Sequence, residues 1–133
     1  MYTMKQVCGK VGMTYETLKF YCNEGLVPNV KRDRNNYRVF DDRDVAWIES
    51  LGCLKRCGMS LQEMKAYLKL CLLGPESIPE RKIILDEKRA ALVAAVEELN
   101  KAVAYIDWKQ DFYDGVLSGE TPYVSNLISA NKA

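Results

Sequence analysis

The side chains in this chain that could do covalent chemistry are cysteines. There is no histidine, so the commonest general base and metal ligand is missing. The spacing of the cysteines contains no Cys-x-x-Cys pair and no zinc pattern, so we predict no metal and no cofactor. The five cysteines are Cys8, Cys22, Cys53, Cys57 and Cys71.

Cys53 has two basic residues nearby, Lys55 and Arg56, which also lie beside Cys57. Nearby positive charge favours the thiolate, which is the reactive form of a cysteine. Cys53 is therefore a candidate nucleophile toward electrophiles. The alternative is that Cys53 is a small residue buried in a helix, as cysteines often are. The residues alone leave both interpretations open.

A second kind of chemistry follows from the distribution of charge. Residues 1–40 carry seven basic and three acidic residues, whereas the rest of the chain carries 12 basic and 15 acidic residues. A basic N-terminal segment followed by an acidic remainder favours binding of a polyanion such as DNA at one end, although chance could produce the same asymmetry. The candidate contact residues are Thr14, Tyr15, Lys19, Tyr21, Arg34, Tyr37 and Arg38.

The first four of these residues fall in a predicted helix-turn-helix. Residues 3–6 have the spacing of a capping box that starts one helix, and Gly12 breaks the chain. Thr14 can cap a second helix, which Gly25 can close. In this second helix we expect Leu18 to face inward and Lys19 and Tyr21 to point outward. Such a second helix reads the major groove of DNA.

The other three candidates fall in a predicted β-hairpin over residues 30–40. Asn35 and Asn36 tolerate the positive φ of a tight turn and are placed at its tip. A basic hairpin directly after a helix-turn-helix is a wing. We expect its Arg34, Tyr37 and Arg38 to hold phosphates.

The remainder of the chain is predicted to be helical. Two helices follow the wing and complete a winged core, and Gly74-Pro75 then breaks the chain. A long helix follows, in which apolar positions recur in steps of four and three, the pattern of a coiled coil. No second long helix is available to cover this stripe, so we predict a homodimer; a monomer folding back on itself is the alternative. The stripe comprises Leu85, Leu92, Val96, Leu99, Val103 and Ile106.

These elements resemble the MerR family of bacterial transcription regulators. The matching residues are Thr3–Val7, Gly12–Thr14, Thr17–Tyr21, Glu24–Pro28 and Asn36–Phe40. The chain departs from the family where Lys19 replaces the usual Arg and Asn36 the usual Gly. Lys19 keeps the charge but loses the bidentate fork, which favours a phosphate contact.

The resemblance implies a mainly helical winged helix-turn-helix with a small β-hairpin wing and an antiparallel coiled-coil dimer. It implies a regulator that distorts an over-long promoter spacer when an effector is present, so that RNA polymerase can engage the double-stranded promoter DNA. Residues 47–60, 81–85 and 111–114 are also similar to the subgroup that responds to aldehydes and other thiol-reactive electrophiles. That subgroup carries its sensing cysteine at the position of Cys53.

We accordingly predict a DNA-binding domain over 1–73, a linker and dimerisation helix over 74–114, and a short tail over 115–133. A regulator is favoured over an enzyme, because no base, oxyanion donors or cofactor loop accompany Cys53. An effector-independent architectural or recombination protein is the alternative function. No signal segment or membrane span is recognisable, which predicts a cytoplasmic protein without a membrane partner.

Overall fold

The computed structural model describes residues 1–129. Helices dominate the described chain, and a small sheet accompanies them, which confirms the predicted mainly helical winged helix-turn-helix. The elements in order are β1 (Tyr2–Thr3), α1 (Met4–Val11), α2 (Tyr15–Asn23), β2 (Lys31–Arg32), β3 (Arg38–Phe40), α3 (Asp42–Arg56), α4 (Leu61–Leu72), a 3-10 helix (Pro75–Ser77) and α5 (Ile78–Ser118).

Local hydrogen bonds define the helix-turn-helix formed by α1 and α2. Thr3 Oγ1 accepts from the backbone N–H of Gln6 at 3.2 Å, and the Gln6 side chain accepts from the N–H of Thr3 at 2.9 Å. Gly12 then takes a left-handed conformation with φ +67° and ends α1. The hydroxyl of Thr14 accepts from the N–H of Thr17 at 3.2 Å and starts α2. Both predicted caps are therefore present.

The wing is larger than the predicted hairpin, because three antiparallel strands pair in the order β1-β3-β2. Tyr2 pairs with Phe40 and Lys31 pairs with Val39. Asn36 takes a φ of +65° at the turn, as its residue type allows. The sequence did not reveal β1, because this strand has two residues and shares Thr3 with the cap of α1.

The core lies within the first of two compact units, Met1–Ala90. Trp47 is anchored at its edge, where Nε1 donates to the carbonyl of Leu26 at 2.7 Å. Helices α3 and α4 supply five of the thirteen buried apolar side chains, so they back α1, α2 and the sheet as predicted. These thirteen are Met4, Val7, Leu18, Tyr21, Leu26, Val27, Phe40, Ile48, Leu51, Leu54, Met59, Met64 and Leu68.

The first unit extends past the predicted boundary at residue 73, because the start of α5 is bonded to it. The hydroxyl of buried Ser77 donates to the carbonyl of Leu70. Arg81 Nη2 donates to the carbonyl of Gly74 at 2.7 Å, and Lys88 Nζ lies 2.6 Å from Glu63 Oε2. These bonds tie the first turns of α5 to α4 and the segment that precedes it.

The second unit, described over residues 91–129, contains the rest of α5 and a short irregular segment. The predicted start of the tail at Gly115 lies inside α5, which ends at Ser118 and is followed by Gly119 with φ +83°. Gly115 has a different role. A Cβ at this position would lie 2.5 Å from Thr121 Oγ1, so glycine permits the chain to return against the helix. Residues 130–133 of the predicted tail lie outside the described residues.

Candidate nucleic-acid interface

Helix α2 presents part of its predicted DNA-reading face to solvent. Tyr15 and Lys19 are exposed, and so is Phe20, with 47% of its surface accessible. Thr14 is exposed as well, although its hydroxyl bonds to Thr17 at the start of the helix. The exposed aromatic and basic side chains of α2 are thus available to a partner outside the chain.

The predicted outward position of Tyr21 is wrong. Tyr21 is buried with 3% of its surface accessible, next to Leu18, which is fully buried. Residues three apart in a helix lie on the same face, so Tyr21 follows Leu18 into the core. Burial raises the pKa of the Tyr21 phenol. Its neighbour Phe20 takes the exposed position instead.

The tip of the wing is held rigid by hydrogen bonds from within the hairpin. The Asp33 carboxylate accepts from the backbone N–H groups of Asn35 at 2.9 Å and Tyr37 at 3.0 Å. Arg32 Nη1 donates to the carbonyl of Asn36 at 2.8 Å. Because the hairpin backbone is fixed in this way, the exposed side chains of Arg34 and Tyr37 project from a preorganised support.

Arg38 joins the wing to α2. It is half-buried, and its Nη2 donates to Asn23 Oδ1 at 2.6 Å. Two guanidinium nitrogens remain without a hydrogen bond to another described residue. Arg38 therefore links the wing to α2 and retains donors that no other described residue uses.

A cleft of about 450 Å³ lies between α1, the start of α2 and the wing. It brings together three of the predicted contact residues, Tyr15, Tyr37 and Arg38, while Thr14, Lys19 and Arg34 lie outside its lining. Two basic residues that the sequence reasoning left out, Lys5 and Arg32, also line it. The basic composition of residues 1–40 was the signal that could have included them.

Not every basic residue of this region is available to an anion. Lys31 Nζ lies 3.0 Å from Asp41 Oδ2 and 3.5 Å from Oδ2 of buried Asp44. The hydrogen bond to Asp41 raises the pKa of Lys31. The pKa of Asp41 is lowered, first by the backbone N–H of Asp44 and then by Lys31. Lys31 thus serves the capping of α3 rather than a ligand.

Cys53 is exposed, so the alternative of a buried helix residue is wrong. Arg56 Nη2 lies 3.3 Å from its Sγ and donates to it. Both residues line a groove of about 280 Å³ together with Lys10. Cys8 and Cys22 are half-buried, and burial raises the pKa of each of these two thiols, which disfavours the reactive thiolate.

The predicted dimerisation stripe is exposed along α5. The accessible fraction ranges from 39% at Leu85 to 66% at Leu99. Exposed apolar patches of this kind mark interaction surfaces. The other four members are Leu92, Val96, Val103 and Ile106.

A basic helix-turn-helix with a wing beside its second helix defines a winged helix-turn-helix protein of the DNA-binding class. The profile described as MerR HTH family regulatory protein matches residues 2–71. The chain therefore belongs to the MerR family, and it is a DNA-binding transcriptional regulator rather than an enzyme.

Known proteins of this family are similar to most of the chain. An uncharacterised HTH-type transcriptional regulator of Haemophilus influenzae is 35% identical over 112 residues, covering 84% of this chain and 83% of that protein. The regulator AdhR of Bacillus subtilis is 35% identical over 88 residues, covering 66% of this chain and 63% of that protein. A solved structure of HiNmlR, a MerR family regulator lacking the sensor domain and bound to promoter DNA, has a TM-score of 0.77 at 32% identity. It covers 90% of this chain and 91% of that chain.

Among residues 1–129, no three His, Cys, Asp or Glu side chains form a group that could hold a metal ion. Within the same residues, no helix combines the length and the apolar character that crossing a membrane requires.

Proposed function

We propose that this regulator binds a promoter element as a homodimer and distorts the DNA in response to an electrophile that reacts at Cys53. The observation that carries the proposal is an exposed thiol in contact with an arginine, in the same compact unit as the basic helix-turn-helix and wing. The similar protein HiNmlR is bound to promoter DNA in its solved structure. The double-stranded promoter, RNA polymerase and a second copy of the chain are the proposed partners, and the cytoplasm is the proposed location.

The DNA contacts are assigned by exposure and charge. Tyr15 and Lys19 on α2 enter or flank the major groove, and Lys19 neutralises a phosphate. Arg34, Tyr37 and Arg38 hold the backbone from the wing. Thr14 contributes through the start of α2, where free backbone N–H groups favour a phosphate.

Removal of one phosphate contact tests this assignment. Arg34→Ala should weaken operator binding by a similar factor on all DNA sequences and reduce the slope of log K against log salt by about one unit. Lys82→Ala, which removes an exposed charge from α5, is the matched control and should leave the slope unchanged. A change of sequence preference without a change of slope would contradict the phosphate assignment. Fluorescence anisotropy over a salt series measures both quantities.

Dimerisation is proposed from the exposed stripe of α5. Two copies of a coiled-coil stripe bury each other's apolar side chains, which an isolated helix cannot do. A two-fold symmetric dimer would place two helix-turn-helix units on a two-fold symmetric DNA site. Binding must then also offset the cost of bending or untwisting DNA, which is of the order of several kcal/mol.

The reaction proposed at Cys53 is addition of its thiolate to an aldehyde. The thiol gives its proton to solvent, and the sulfur forms a bond to the carbonyl carbon. The π electrons of the C=O bond move to oxygen, which takes up a proton, giving a hemithioacetal without any oxidant. Arg56 donates to the Cys53 sulfur, so its guanidinium lies beside the reacting atom. The adduct places a new group at this position, in the groove that Cys53 and Arg56 line with Lys10.

A DNA footprint upstream of the gene tests the whole proposal. Wild type and Cys53→Ala are compared, each with and without a small aldehyde, and Cys57→Ala is the matched cysteine control. We expect protection of a promoter spacer, with aldehyde-dependent distortion in wild type and Cys57→Ala but not in Cys53→Ala. Distortion that ignores aldehyde in all three proteins would leave an effector-independent architectural protein as the function. Aldehyde-dependent distortion in Cys53→Ala would contradict the role of this cysteine.

A further inference from the structure

A groove of about 350 Å³ lies on the first unit between α2 and the start of α4, and it shares exposed Phe20 with the candidate DNA-reading face of α2. Helix α2 supplies four of the residues that line it, and the other four come from the end of α3, the following loop and the start of α4. The lining residues are Glu16, Thr17, Phe20, Tyr21, Lys55, Met59, Leu61 and Met64. None of these residues belongs to the lining of the Cys53 groove or of the cleft beside the wing.

The walls of the groove are apolar and rich in sulfur. Met59 and Met64 are buried, while Phe20 is 47% exposed. Thioethers adapt their shape and make favourable contacts with aromatic rings. The volume lies near the lower end of the range for small-molecule pockets, about 300–1,000 Å³. These walls suit one aromatic ring of the size found in an amino acid side chain.

The two charged side chains that line the groove are unpaired, whereas the Thr17 hydroxyl accepts from Thr14. Glu16 and Lys55 are both exposed and line the same groove, and neither forms an ion pair with any residue among 1–129. Tyr21 is 97% buried, since 3% of its surface is accessible, and its hydroxyl has no hydrogen-bond partner among the described residues. Buried polar groups in folded proteins are nearly always hydrogen-bonded, so a buried hydroxyl without a partner calls for an explanation.

We propose that this groove binds a free aromatic α-amino acid. The ammonium group pairs with Glu16, the carboxylate pairs with Lys55, and the aromatic side chain lies against Met59, Met64 and Phe20. A ligand with one charge would leave either Glu16 or Lys55 without its counterpart, whereas a zwitterion satisfies both. The Tyr21 hydroxyl is buried and makes no contact with the ligand in this arrangement. Helix α2 also carries Tyr15 and Lys19, so the groove and the candidate DNA surface share one helix.

Methionine methyl NMR tests the site directly and without DNA. The chain has five methionines, of which Met59 and Met64 line the groove while Met1, Met4 and Met13 do not. We would titrate protein labelled with [methyl-¹³C]methionine with L-phenylalanine, phenylacetate and phenethylamine, which share the ring and differ in charge. We expect L-phenylalanine to shift the Met59 and Met64 signals selectively, at concentrations at least about tenfold below either singly charged probe.

Variants then separate the two charges. Lys55→Gln and Glu16→Gln should each weaken binding of L-phenylalanine by about fivefold or more. Lys69→Gln removes an exposed charge from α4 outside the groove and should have no effect. Unchanged Met4 and Met13 signals show that each variant is folded, because Met4 belongs to the core and Met13 packs against it.

Three results would overturn the proposal. These are equal binding of a singly charged probe, shifts spread over all five methionines, and no shift up to about 10 mM L-phenylalanine, well above the millimolar range of weak ligands. Because the assay contains no DNA and no aldehyde, its failure would leave the promoter and Cys53 proposals untouched. Conversely, failure of the footprint would leave the amino acid site standing.

Discussion

The two compact units of this protein differ in whether they bury their apolar side chains. The first unit, Met1–Ala90, encloses thirteen apolar side chains with at most 9% of their surface accessible. In the second unit, every residue described between 91 and 129 is exposed or half-buried, although Leu92, Val96 and Leu99 would suit a core. The first unit can therefore fold on contacts within one chain, whereas the second requires apolar surface from elsewhere.

Removal of a buried ring should have the largest effect on stability. Phe40 has none of its surface accessible and lies in β3 between the other two strands. Phe40→Ala should lower the free energy of unfolding by about 3–5 kcal/mol, because it leaves a cavity that the sheet cannot close. Denaturant titration at several protein concentrations measures this change.

The matched change in the second unit is Leu99→Ala, at a side chain that is 66% exposed in the isolated chain. If this leucine is buried only between two copies, the loss of stability caused by Leu99→Ala should appear as a stronger dependence of unfolding on protein concentration. The loss of stability caused by Phe40→Ala should depend much less on protein concentration. If it depends on concentration as strongly as the loss caused by Leu99→Ala, the two units do not differ in this way.

Introduction of a charge into the α5 stripe should have the next largest effect. Val96→Asp should convert dimers to monomers, since each copy would bury a carboxylate without a partner in the interface. Operator affinity should fall by about a hundredfold or more, because two half-sites are no longer linked. Light scattering measures the mass and anisotropy measures the affinity. Ala94→Asp, two residues away and outside the four-and-three pattern, should remain dimeric; an intact Val96→Asp dimer would rule out the stripe as the interface.

The sequence predicted the elements of the first unit well where local hydrogen bonds decide the structure. Thr3, Thr14 and Asn36 act as predicted, because caps and tight turns depend on a few adjacent residues. The exposed position of Cys53 and the boundary at Ala90 could not be predicted, since both depend on how α3, α4 and the start of α5 pack.

Two errors of the sequence reasoning have specific physical causes. Tyr21 was expected to point outward with Lys19, whereas its spacing of three from Leu18 puts it on the buried face. Gly115 was taken as the end of α5 because glycine often ends helices, but in this chain its missing side chain admits Thr121 and Gly119 supplies the left-handed residue. In both positions tertiary contacts outweigh the preference of the residue type.

The buried hydroxyl of Tyr21 gives a smaller test of the first unit. Tyr21→Phe removes a hydroxyl that has no partner among residues 1–129, so it should stabilise the protein by roughly 1 kcal/mol. Tyr2→Phe is the matched control, because Tyr2 donates to Asp42 at 2.7 Å and should lose stability instead. Thermal unfolding of both variants measures the effects. A loss of stability in Tyr21→Phe would show that the hydroxyl is hydrogen-bonded in solution.

The smallest expected effect on stability comes from ion pairs. It distinguishes a pair that joins two elements from a pair within one helix. In the first unit, Glu63 bonds Lys88 and the backbone of Ser60, and the pKa of Glu63 is lowered to about 2, first by Lys88. In the second unit, Lys101 and Glu98 form an exposed pair one turn apart. A pair between elements joins parts of the fold, whereas a pair within one turn only supports a helix that already exists.

The free energy of unfolding measured as a function of pH distinguishes the contributions of the two ion pairs. Because the folded pKa of Glu63 lies below its ordinary value of 4.5, its contribution is complete above about pH 4.5 and is lost as the pH falls toward about 2. Lys88→Gln should therefore be less stable than wild type at pH 7, and the difference should shrink between these two pH values. Lys101→Gln should show almost no difference at any pH, as exposed pairs contribute little. If the two variants lose stability alike across the pH range, the Glu63 pair does not join α4 to α5 in solution, and the first unit ends earlier than Ala90.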